Sequence, residues 1–348
     1  MAPLPGAVGP VAADGFPGAR LGDCVEARRR LVAKRRVTGE RLMAAADAAK
    51  LIEDGDTEIV GGCMFSRTPM ALLHELLRQR RKGLLIARNL SWLEAELLMI
   101  AGASRHLITS WQGLGVPWGL SRILREEVES GRVRFEEWSH FAMGLRFRAA
   151  AMGVPFLPAL TMLGSDLMQT TDAKAIECPF TGETLAAIPA LFADVALIHV
   201  HRADRFGNCQ IDGYTHMDED ICRAATRVIV SAEEIVPDED IRRHPDRTVI
   251  PSLVVDAVVE APFGAYPGEC YGLYETDFDH IDAYVRAVRT SGAAAVQDHL
   301  QRYVYGVSSH EDFMRLFDPA VLQAKRIAAS ELTVPLPPRR ERLDEGTL

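Results

Sequence analysis

Residues 54–69 read DGDTEIVGGCMFSRTP, and this stretch decides the fold. Its apolar run EIV is short and ends at Gly61 and Gly62, which predicts a buried strand followed by a tight turn. Thr68 and Pro69 then form a typical helix start, a capping residue followed by a first-turn proline. A buried strand that leads through glycines into a helix is typical of a parallel α/β sheet.

The same pattern continues on both sides of this stretch. A helix is predicted over residues 40–54, and others after Met70 and Leu120, the last of them closed by Gly131. Short apolar runs predict strands at residues 58–60, 84–87, 107–109, 195–200, 227–230 and 253–255. The sequence therefore predicts an α/β fold, a mostly parallel twisted sheet covered by helices on both faces. Ligands of such sheets bind beyond the carboxyl ends of strands, where the strand order reverses.

Both ends of the chain differ from its middle in composition. Residues 1–20 are rich in Pro, Gly and Ala, and the last residues combine three prolines with a run of charge. We expect a flexible N-terminal extension over residues 1–35, one domain over residues 36–330 and a C-terminal tail over residues 331–348. No signal peptide and no run of about 20 apolar residues is apparent, so we expect a cytoplasmic protein with no membrane segment.

Charge and cysteine content exclude several classes of function. The formal net charge of −9 over 348 residues argues against a nucleic acid or an anionic membrane as the main partner. The six cysteines are scattered without a C-x-x-C pair, so neither a disulfide framework nor a zinc site is expected. A small anionic ligand remains possible, because a few backbone amides and one Arg are enough to bind it.

Two loops that follow predicted strands contain candidate binding residues. The first holds Gly61, Gly62 and Phe65, where the missing Cβ atoms allow a ligand close to the backbone. It has neither Walker A nor dinucleotide-binding spacing, and a plain strand-to-helix turn is the alternative. The second loop, after the strand at residues 107–109, offers Gln112 and Gly113 to a carboxylate or acyl group. An ordinary connecting loop is the alternative there.

A third loop, residues 135–140, contains the candidate catalytic residues. It follows a short predicted strand at Val133 and places Glu137, Ser139 and His140 at a strand-to-helix junction. Ser139 is a good helix cap, which is the structural interpretation. In the functional interpretation, Ser139 or His140 donates to a developing oxyanion.

Two further segments carry residues that could bind a ligand. His199 and His201 are two residues apart on a predicted strand and share one face, but no third ligand is apparent, so no metal is expected. Residues 261–274 form a long loop rich in Gly, Pro and aromatic residues, which predicts a binding loop or a docking surface. Cys270 in that loop has no catalytic partner pattern and is interpreted as an idle thiol. These residues predict an α/β ligand-binding protein and leave the reaction undetermined.

Taken in order, the motifs resemble the alpha subunits of class I CoA-transferases, above all the glutaconate CoA-transferase type. The resemblance covers roughly residues 36–325. The motifs that support it are Asp54-Gly55, Gly61-Gly62, Pro69, Gly102-Ala103, Glu137-Trp138-Ser139, residues 149–158 (AAAMGVPFLP), residues 178–183 (CPFTGE), Pro189-Ala190, Asp194-Val195-Ala196, residues 199–208 and residues 264–274.

This resemblance implies the fold of the CoA-transferase and ribose-phosphate-isomerase-like superfamily. It also implies a B-type partner subunit, commonly in an A2B2 heterotetramer. In such enzymes a B-subunit glutamate attacks the acyl-CoA thioester and becomes a glutamyl-CoA thioester, and CoA then passes to a second acid. No cofactor is implied, since coenzyme A arrives as the substrate's thioester.

The resemblance also suggests roles for individual residues. His140 falls near the polar donor that holds the thioester oxyanion, with Glu137 and Ser139 at the same junction. Gly61, Gly62 and Phe65 would line the groove near the acyl group.

Gln112 and Gly113 would contact the acid substrate. Each of these roles is carried over by matching short motifs of this sequence to the family pattern.

Two alternatives accompany this prediction. A related group of A-type subunits hydrolyses a ring carbon–carbon bond of a CoA thioester in steroid degradation, and it carries an acidic residue near the position of His140. The histidine weakens that alternative, although Glu137 or His140 could still act as a base. A ligand-sensing domain of the same fold is the second alternative, but residues 1–35 supply no helix-turn-helix for DNA binding.

Overall fold

The computed structural model describes residues 21–34, 39–115 and 118–332. Its strands are β1 (Thr57–Val60), β2 (Leu84–Ala87), β3 (Leu90–Ser91), β4 (Ser104–Thr109), β5 (Trp111–Gln112), β6 (Arg134–Glu137), β7 (Phe156–Ala159), β8 (Lys174–Glu177), β9 (Thr184–Pro189), β10 (Ala193–Ala203), β11 (Cys209–Gln210), β12 (Ala225–Ile235), β13 (Thr248–Ile250) and β14 (Ala257–Glu260). Its α-helices are α1 (Leu21–Ala33), α2 (Ala45–Ala48), α3 (Met70–Arg78), α4 (Leu93–Ile100), α5 (Arg122–Glu129), α6 (His140–Met152), α7 (Leu167–Thr170), α8 (Asp218–Ala224), α9 (Asp238–Arg243), α10 (Phe278–Ser291), α11 (Ala293–Leu300), α12 (His310–Met314) and α13 (Pro319–Leu332).

The main sheet is mixed but mostly parallel. Its parallel strands lie in the order β14-β12-β10-β1-β2-β4-β6, and β11 and β13 add an antiparallel edge beside β10. The chain moves outward from β1 to β6 and then returns to place β10 on the other side of β1, with Ile59 in register with Ala196. The strand order therefore reverses between β1 and β10, which makes the carboxyl ends of these two strands the expected ligand site.

Successive residues of β1 pack into two different cores, as expected for a strand covered on both faces. Ile59 is buried among residues of α6 and α8, such as Met143 and Ile221. Val60 faces the opposite core, which includes Leu73 of α3. Each fully buried aliphatic side chain contributes about 1.5–3 kcal/mol to folding, so the sheet is held firmly from both sides. The predicted α/β class is confirmed.

A third, smaller cluster joins the C-terminal helices to α3. Tyr266 and Phe313 are buried there, and Phe317 packs against both. His74 of α3 meets the Phe313 ring edge-on at 4.9 Å. The long loop at residues 261–274 supplies the centre of this cluster and is therefore largely packed inside the protein.

The helix predicted over residues 40–54 is wrong in extent. Only α2 and a 3-10 turn (Ala49–Leu51) are helical. Residues before α2 are extended, because Met43 N donates to Val258 O at 2.9 Å and Val258 N donates to Arg41 O at 2.9 Å. Pairing with β14 thus overrides the local helical pattern. Gly55, at φ 88°, lies in a turn and does not cap a helix.

The strand predicted at residues 253–255 is also wrong, because this segment forms a turn in which Val254 N donates to Pro251 O at 3.1 Å. The strand begins two residues later, as β14, which pairs with β12. Thr68 does not cap α3. Its hydroxyl donates instead to Met64 O at 2.5 Å and fastens the loop after β1.

The predicted division of the chain stays a prediction. Residues 1–20, 35–38 and 333–348 lie outside the described residues, whereas α1 lies inside the predicted N-terminal extension. Arg30 of α1 pairs with Asp194 at 3.1 Å, and Lys34 pairs with Asp256 at 2.6 Å. Among the described residues, no helix combines the length and apolar character needed to cross a bilayer.

Candidate active site

Gly61 and Gly62 form the turn between β1 and the loop that leads to α3. A Cβ on Gly61 would lie 2.4 Å from Ile198 Cδ1, and one on Gly62 would lie 2.3 Å from Ser66 O. Gly62 has φ 67°, which favours glycine. Gly61 N donates to Leu197 O at 2.9 Å, and Gly62 N donates to Asp218 Oδ1 at 2.8 Å. Both glycines are therefore required by the turn itself, and their contact with a ligand stays a prediction.

A buried ion pair fixes this turn to the opposite side of the switch point. Arg67 Nη1 lies 2.6 Å from Asp218 Oδ2 and also donates to His199 O at 2.9 Å. Its Nη2 donates to Tyr214 O at 2.7 Å. The pair ties the loop after β1 to the start of α8. Both charged groups are fully buried, so neither can exchange its partner for water. The pair was not predicted, since its two residues are far apart in the chain and no local pattern connects them.

A second buried pair fastens the other end of the same loop. Arg88, just after β2, lies 2.7 Å from Glu94 Oε1. Its second guanidinium nitrogen donates to Thr68 Oγ1 at 2.9 Å and to Met64 O at 3.2 Å. The loop between β1 and α3 is consequently held in one shape from both sides, as a preorganised site requires.

Polar side chains from three neighbouring strand ends meet at this carboxyl edge. Asn89 follows β2, Ser110 follows β4 and His140 follows β6. Ser110 Oγ lies 3.0 Å from Asn89 Oδ1, and Asn89 Nδ2 lies 3.5 Å from His140 Nε2. We call Asn89, Ser110 and His140 the strand-end cluster. Asn89 was not predicted as a site residue, although it comes shortly after a correctly predicted strand.

His140 contacts the cluster through one ring nitrogen. Its Nε2 lies 3.5 Å from Asn89 Nδ2, which also lies 3.0 Å from Met217 Sδ. The Ser110 hydroxyl lies 2.5 Å from the backbone oxygen of Asn89 and 3.0 Å from its Oδ1. Because His140 is exposed, its imidazole is available to a ligand at the surface.

Glu137 and Ser139 lie beside this cluster in different environments. Glu137 is exposed and, contrary to the predicted loop, is the last residue of β6, because Thr109 and Glu137 are in register. Glu136 is also in the strand and is buried against Arg146 at 3.2 Å. Burial alone would raise the pKa of Glu136, but hydrogen bonding to His106 and the charge of Arg146 prevail and lower it to about 2. Glu136 is therefore a buried, ion-paired carboxylate with a structural role.

Ser139 is the N-cap of α6, as its structural interpretation predicted. Its Oγ accepts from Ala142 N at 3.1 Å and lies 2.8 Å from Thr161 Oγ1. The hydroxyl is thus already engaged on two sides, and a role in substrate binding stays a prediction.

The remaining predicted binding residues lie deeper than the strand-end cluster. Phe65 packs edge-on against Trp92 at 5.0 Å and against Phe278 at 5.8 Å. Gln112 is buried in β5 and donates from Nε2 to Trp92 O at 2.8 Å. A Cβ on Gly113 would meet the ring of Trp111 at 2.5 Å. The structure does not bring these three residues into the cluster, and their binding roles stay predictions.

His199, Glu233 and Cys270 are close enough to be considered as metal ligands, since their ligand atoms lie within 4.8 Å of one another. However, His199 Nδ1 lies 2.9 Å from Ser231 Oγ, and its Nε2 lies 2.7 Å from Glu233 Oε1. Burial raises the pKa of Cys270 well above its usual value, so its thiol stays protonated. A metal ion would have to displace these hydrogen bonds. The group is better described as a buried hydrogen-bonded cluster.

His201 has separate partners from His199. Its Nε2 lies 2.8 Å from Tyr271 O, and its Nδ1 accepts from Asp212 N at 3.2 Å. Both ring nitrogens are used within the protein, so the two histidines do not form a shared metal site.

Comparison with known proteins assigns the class that this fold and this site define. A family model described as coenzyme A transferase matches residues 41–261. The crystal structure of glutaconate coenzyme A-transferase from Acidaminococcus fermentans matches 81% of this chain and 94% of its own chain, with a TM-score of 0.78 and 32% identity. The chain belongs to the coenzyme A transferase family.

Within that family, the chain corresponds to the A-type subunits. It is 33% identical over 292 residues to the A subunit of glutaconate CoA-transferase from Acidaminococcus fermentans, covering 79% of this chain and 91% of that protein. It is 37% identical over 268 residues to the A subunit of 3-oxoadipate CoA-transferase from Pseudomonas knackmussii, covering 76% and 93%. An uncharacterized protein of Archaeoglobus fulgidus is 41% identical over 285 residues, which is 81% of this chain, but the match spans only 63% of that protein's length.

Proteins with other activities share the same architecture. The cholesterol ring-cleaving hydrolase IpdA subunit of Rhodococcus jostii is 29% identical over 292 residues, which is 79% of this chain and 94% of that protein. The crystal structure of a variant of the decarboxylase AibA/AibB matches 76% of this chain and 100% of its own, with a TM-score of 0.68 and 32% identity. The fold therefore supports several reactions, and residues of the site have to discriminate among them.

Proposed function

We propose that this chain is the A-type component of a heteromeric class I CoA-transferase that moves CoA from an acyl-CoA to a carboxylic acid. Its partner is a B-type subunit, in an A2B2 assembly, and the CoA thioester is a substrate and not a resident cofactor. The observation that supports this best is the strand-end cluster, which presents polar side chains at the carboxyl edge of the sheet, the edge where ligands of such sheets bind.

The described part of the site has donors but no activated nucleophile. The hydroxyl of Ser110 is directed at Asn89, which is not a base. Burial raises the pKa of the Cys63 thiol in the loop after β1, so little thiolate is present near neutral pH. A site of this kind is half of a catalytic centre, and we therefore assign the nucleophilic glutamate to the B-type partner.

The reaction that follows has balanced steps. The partner's glutamate carboxylate attacks the thioester carbonyl, the C–S bond breaks, and an acyl-glutamyl anhydride and CoA thiolate form. The thiolate attacks the glutamyl carbonyl, which gives glutamyl-CoA and releases the first acid. The second carboxylate then attacks the glutamyl-CoA carbonyl and expels the thiolate, which gives a second mixed anhydride. The thiolate attacks the new acyl carbonyl of that anhydride, which forms the new acyl-CoA and releases the glutamate carboxylate. Oxyanions develop at the carbonyl oxygen in each addition.

His140 supplies a donor for such an oxyanion. Its imidazole is exposed, and its Nε2 lies 3.5 Å from Asn89 Nδ2. One oriented donor of this type is typically worth ~10²–10³ in rate. Glu137 is the exposed last residue of β6, the strand that His140 follows; the transfer steps assign it no role, and in the hydrolytic alternative it is a candidate base.

The decisive experiment uses this chain co-expressed with a B-type subunit. The complex is incubated with acyl-CoA esters, with and without an acceptor acid, then trapped with hydroxylamine and analysed by mass spectrometry. We expect ping-pong kinetics and a glutamyl hydroxamate on the partner, the product of hydroxylamine on glutamyl-CoA, that forms only when both chains are present. The control is this chain alone, which should form no adduct.

Two other outcomes would assign a different reaction. Consumption of water without an acceptor acid and without an adduct would favour the hydrolase alternative, and release of CO2 would favour a decarboxylase.

We also propose a cytoplasmic location, since Cys209 and Cys222 are buried free thiols, as is usual in a reducing compartment. Fractionation of the native host would test it.

A further inference from the structure

A cavity of about 300 Å³ lies between α5 and the exposed edge strand β6. Its walls are mainly apolar and include Trp111, Leu124, Val128 and Phe135. The volume is at the lower end of the range of small-molecule sites, and a mainly apolar lining with a few polar groups is typical of them.

The sequence of α5 explains this cavity. Leu120, Leu124 and Val128 recur every four residues and form one stripe that borders the cavity. Ile123 lies on a different stripe and is buried in the core beneath. Leu124 and Val128 pack against the edge of that core and stay only half-buried, and Leu120, just before the helix, remains 62% exposed. An apolar ligand would remove this stripe from water.

The cavity adjoins the strand-end cluster through Ser110. Ser110 and Glu137 line it, and Ser110 Oγ also lies 3.0 Å from Asn89 Oδ1. Asn89 in turn lies 3.5 Å from His140. A thioester carbonyl held against His140 would therefore have its acyl chain on the side of the site that Ser110 shares with the cavity.

The charges around the cavity disfavour a second carboxylate on the acyl group. Arg125 lines the cavity and forms no ion pair with the described residues, but Glu129 and Glu137 line it too. The local balance is one positive against two negative groups, so a terminal carboxylate meets no net attraction. The substrates named for the two transferase relatives, glutaconate and 3-oxoadipate, are dicarboxylates.

We propose that this cavity is the acyl-chain pocket of the enzyme and that it selects an uncharged, apolar acyl group. Val128 and Leu124 are its specificity-determining residues. This inference rests on the proposed transferase function, because it takes the thioester to lie at the strand-end cluster. It differs from the dicarboxylate specificity of the named relatives.

The test compares hexanoyl-CoA, adipyl-CoA and acetyl-CoA with the complete A/B complex. Hexanoyl and adipyl groups have the same chain length and differ in the terminal carboxylate. We expect kcat/KM for hexanoyl-CoA to exceed that for adipyl-CoA by at least ~10-fold. Val128→Phe fills the cavity and should lower kcat/KM for hexanoyl-CoA by ~10-fold or more, while acetyl-CoA changes less than about twofold. Leu124→Ala enlarges the cavity, so with octanoyl-CoA as a fourth substrate it should raise kcat/KM for octanoyl-CoA relative to that for hexanoyl-CoA.

The matched control is Val321→Phe, because Val321 is an exposed valine on α13 that does not line the cavity. It should leave all three substrates unchanged. A preference for adipyl-CoA, or an equal loss for acetyl-CoA and hexanoyl-CoA in Val128→Phe, would overturn the inference. So would a loss of A/B assembly in Val128→Phe on size-exclusion chromatography, which would mark the stripe as a partner contact.

Calorimetric binding of hexanoyl-CoA separates failure of this inference from failure of the proposed function. If no acid acts as an acceptor but Val128→Phe still weakens hexanoyl-CoA binding ~10-fold, the pocket is supported and the transferase is rejected. If transfer occurs and hexanoyl-CoA binds both proteins equally, the transferase stands and the pocket is rejected.

Discussion

Asn89 Nδ2 lies 3.5 Å from His140 Nε2, although the two residues follow different strands and are 51 positions apart in the chain. The contact exists because β2, β4 and β6 are adjacent and parallel, so their carboxyl ends meet at one edge. It places the exposed imidazole of His140 at this edge. We expect catalysis to depend on this edge and stability to depend on the packing beneath it.

Replacing His140 by alanine should lower kcat of the A/B complex by ~10²–10³, because the oxyanion loses an oriented donor. KM for the acyl-CoA should change much less, since the donor acts on charge that develops in the transition state. Steady-state kinetics with one acyl-CoA and one acceptor measures both. The control is His244→Ala, an exposed histidine of the same type remote from the cluster. A variant of His140 with wild-type kcat would remove this residue from the mechanism.

Replacing Ser139 by alanine should lower the free energy of unfolding by about 1 kcal/mol, because α6 loses its N-cap. Turnover should stay within about twofold of wild type, since the hydroxyl is engaged by Ala142 N and Thr161. Chemical denaturation and kcat are measured on the same preparation. A large loss of kcat with unchanged stability would instead assign Ser139 to the substrate.

Breaking the buried pair between Arg67 and Asp218 should destabilise the fold strongly. We expect Asp218→Asn to cost about 3–5 kcal/mol, because the Arg67 charge is left buried without its partner. Urea denaturation measures the loss. The matched control is Glu311→Gln, which removes an exposed pair with Arg315 and should cost at most about 1 kcal/mol. Equal effects of the two substitutions would contradict the structural role of the buried pair.

The buried carboxyl group of Glu58 should make the free energy of unfolding depend on pH. It is fully buried in β1, and neither carboxyl oxygen has a hydrogen-bond partner among the described residues. Burial, with a smaller effect of Asp56, raises its pKa from 4.5 to about 8. The folded protein therefore keeps a proton that the unfolded chain loses above pH 4.5. Stability should fall between pH 4.5 and 8, by up to ~1.4 kcal/mol per pH unit from this group.

The substitution Glu58→Gln should make that slope shallower, and denaturation midpoints at pH 6.5, 7.2 and 8 test it; the interval above pH 7 is the most specific, because burial raises the pKa of Glu96 only to about 7. Glu53→Gln, which alters a side chain that is 76% exposed, is the control and should keep the slope. An unchanged pH profile in Glu58→Gln would show that another group is responsible.

The buried side chain of His299 should give the free energy of unfolding the opposite pH dependence at low pH. It is buried beside Tyr303 and His280, and burial followed by the His280 and Arg302 charges lowers its pKa from 6.5 to about 3. The unfolded chain binds a proton below pH 6.5 that the folded protein refuses, so stability falls as pH decreases from 6.5 toward 3. Below pH 4.5 the Glu58 contribution has ended, whereas the His299 contribution continues beside that of Glu136, whose pKa is lowered to about 2. His299→Phe should make the profile between pH 4.5 and 3 less steep, measured by thermal denaturation, whereas His244→Phe should not.

Much of the fold was accessible from local patterns. The strands at β1, β2 and β10 were predicted because continuous apolar runs need burial on both faces. The start of α6 at Ser139 was predicted because a capping hydroxyl satisfies free amides locally. The predictions failed at residues 40–54, where pairing with β14 overrides local preference, and at residues 253–255, where a local turn closed by Val254 N and Pro251 O replaces the strand.

The sequence by itself determined the α/β class, the order of the elements and the resemblance that led to the transferase family, because these depend on local periodicity and on motif order. Tertiary structure alone decided which strand ends meet. It placed Asn89 beside His140, paired Arg67 with Asp218 and opened the cavity next to Val128. The physical reason is that contacts between residues far apart in the chain are set by strand order and packing of the whole sheet, which no local segment encodes.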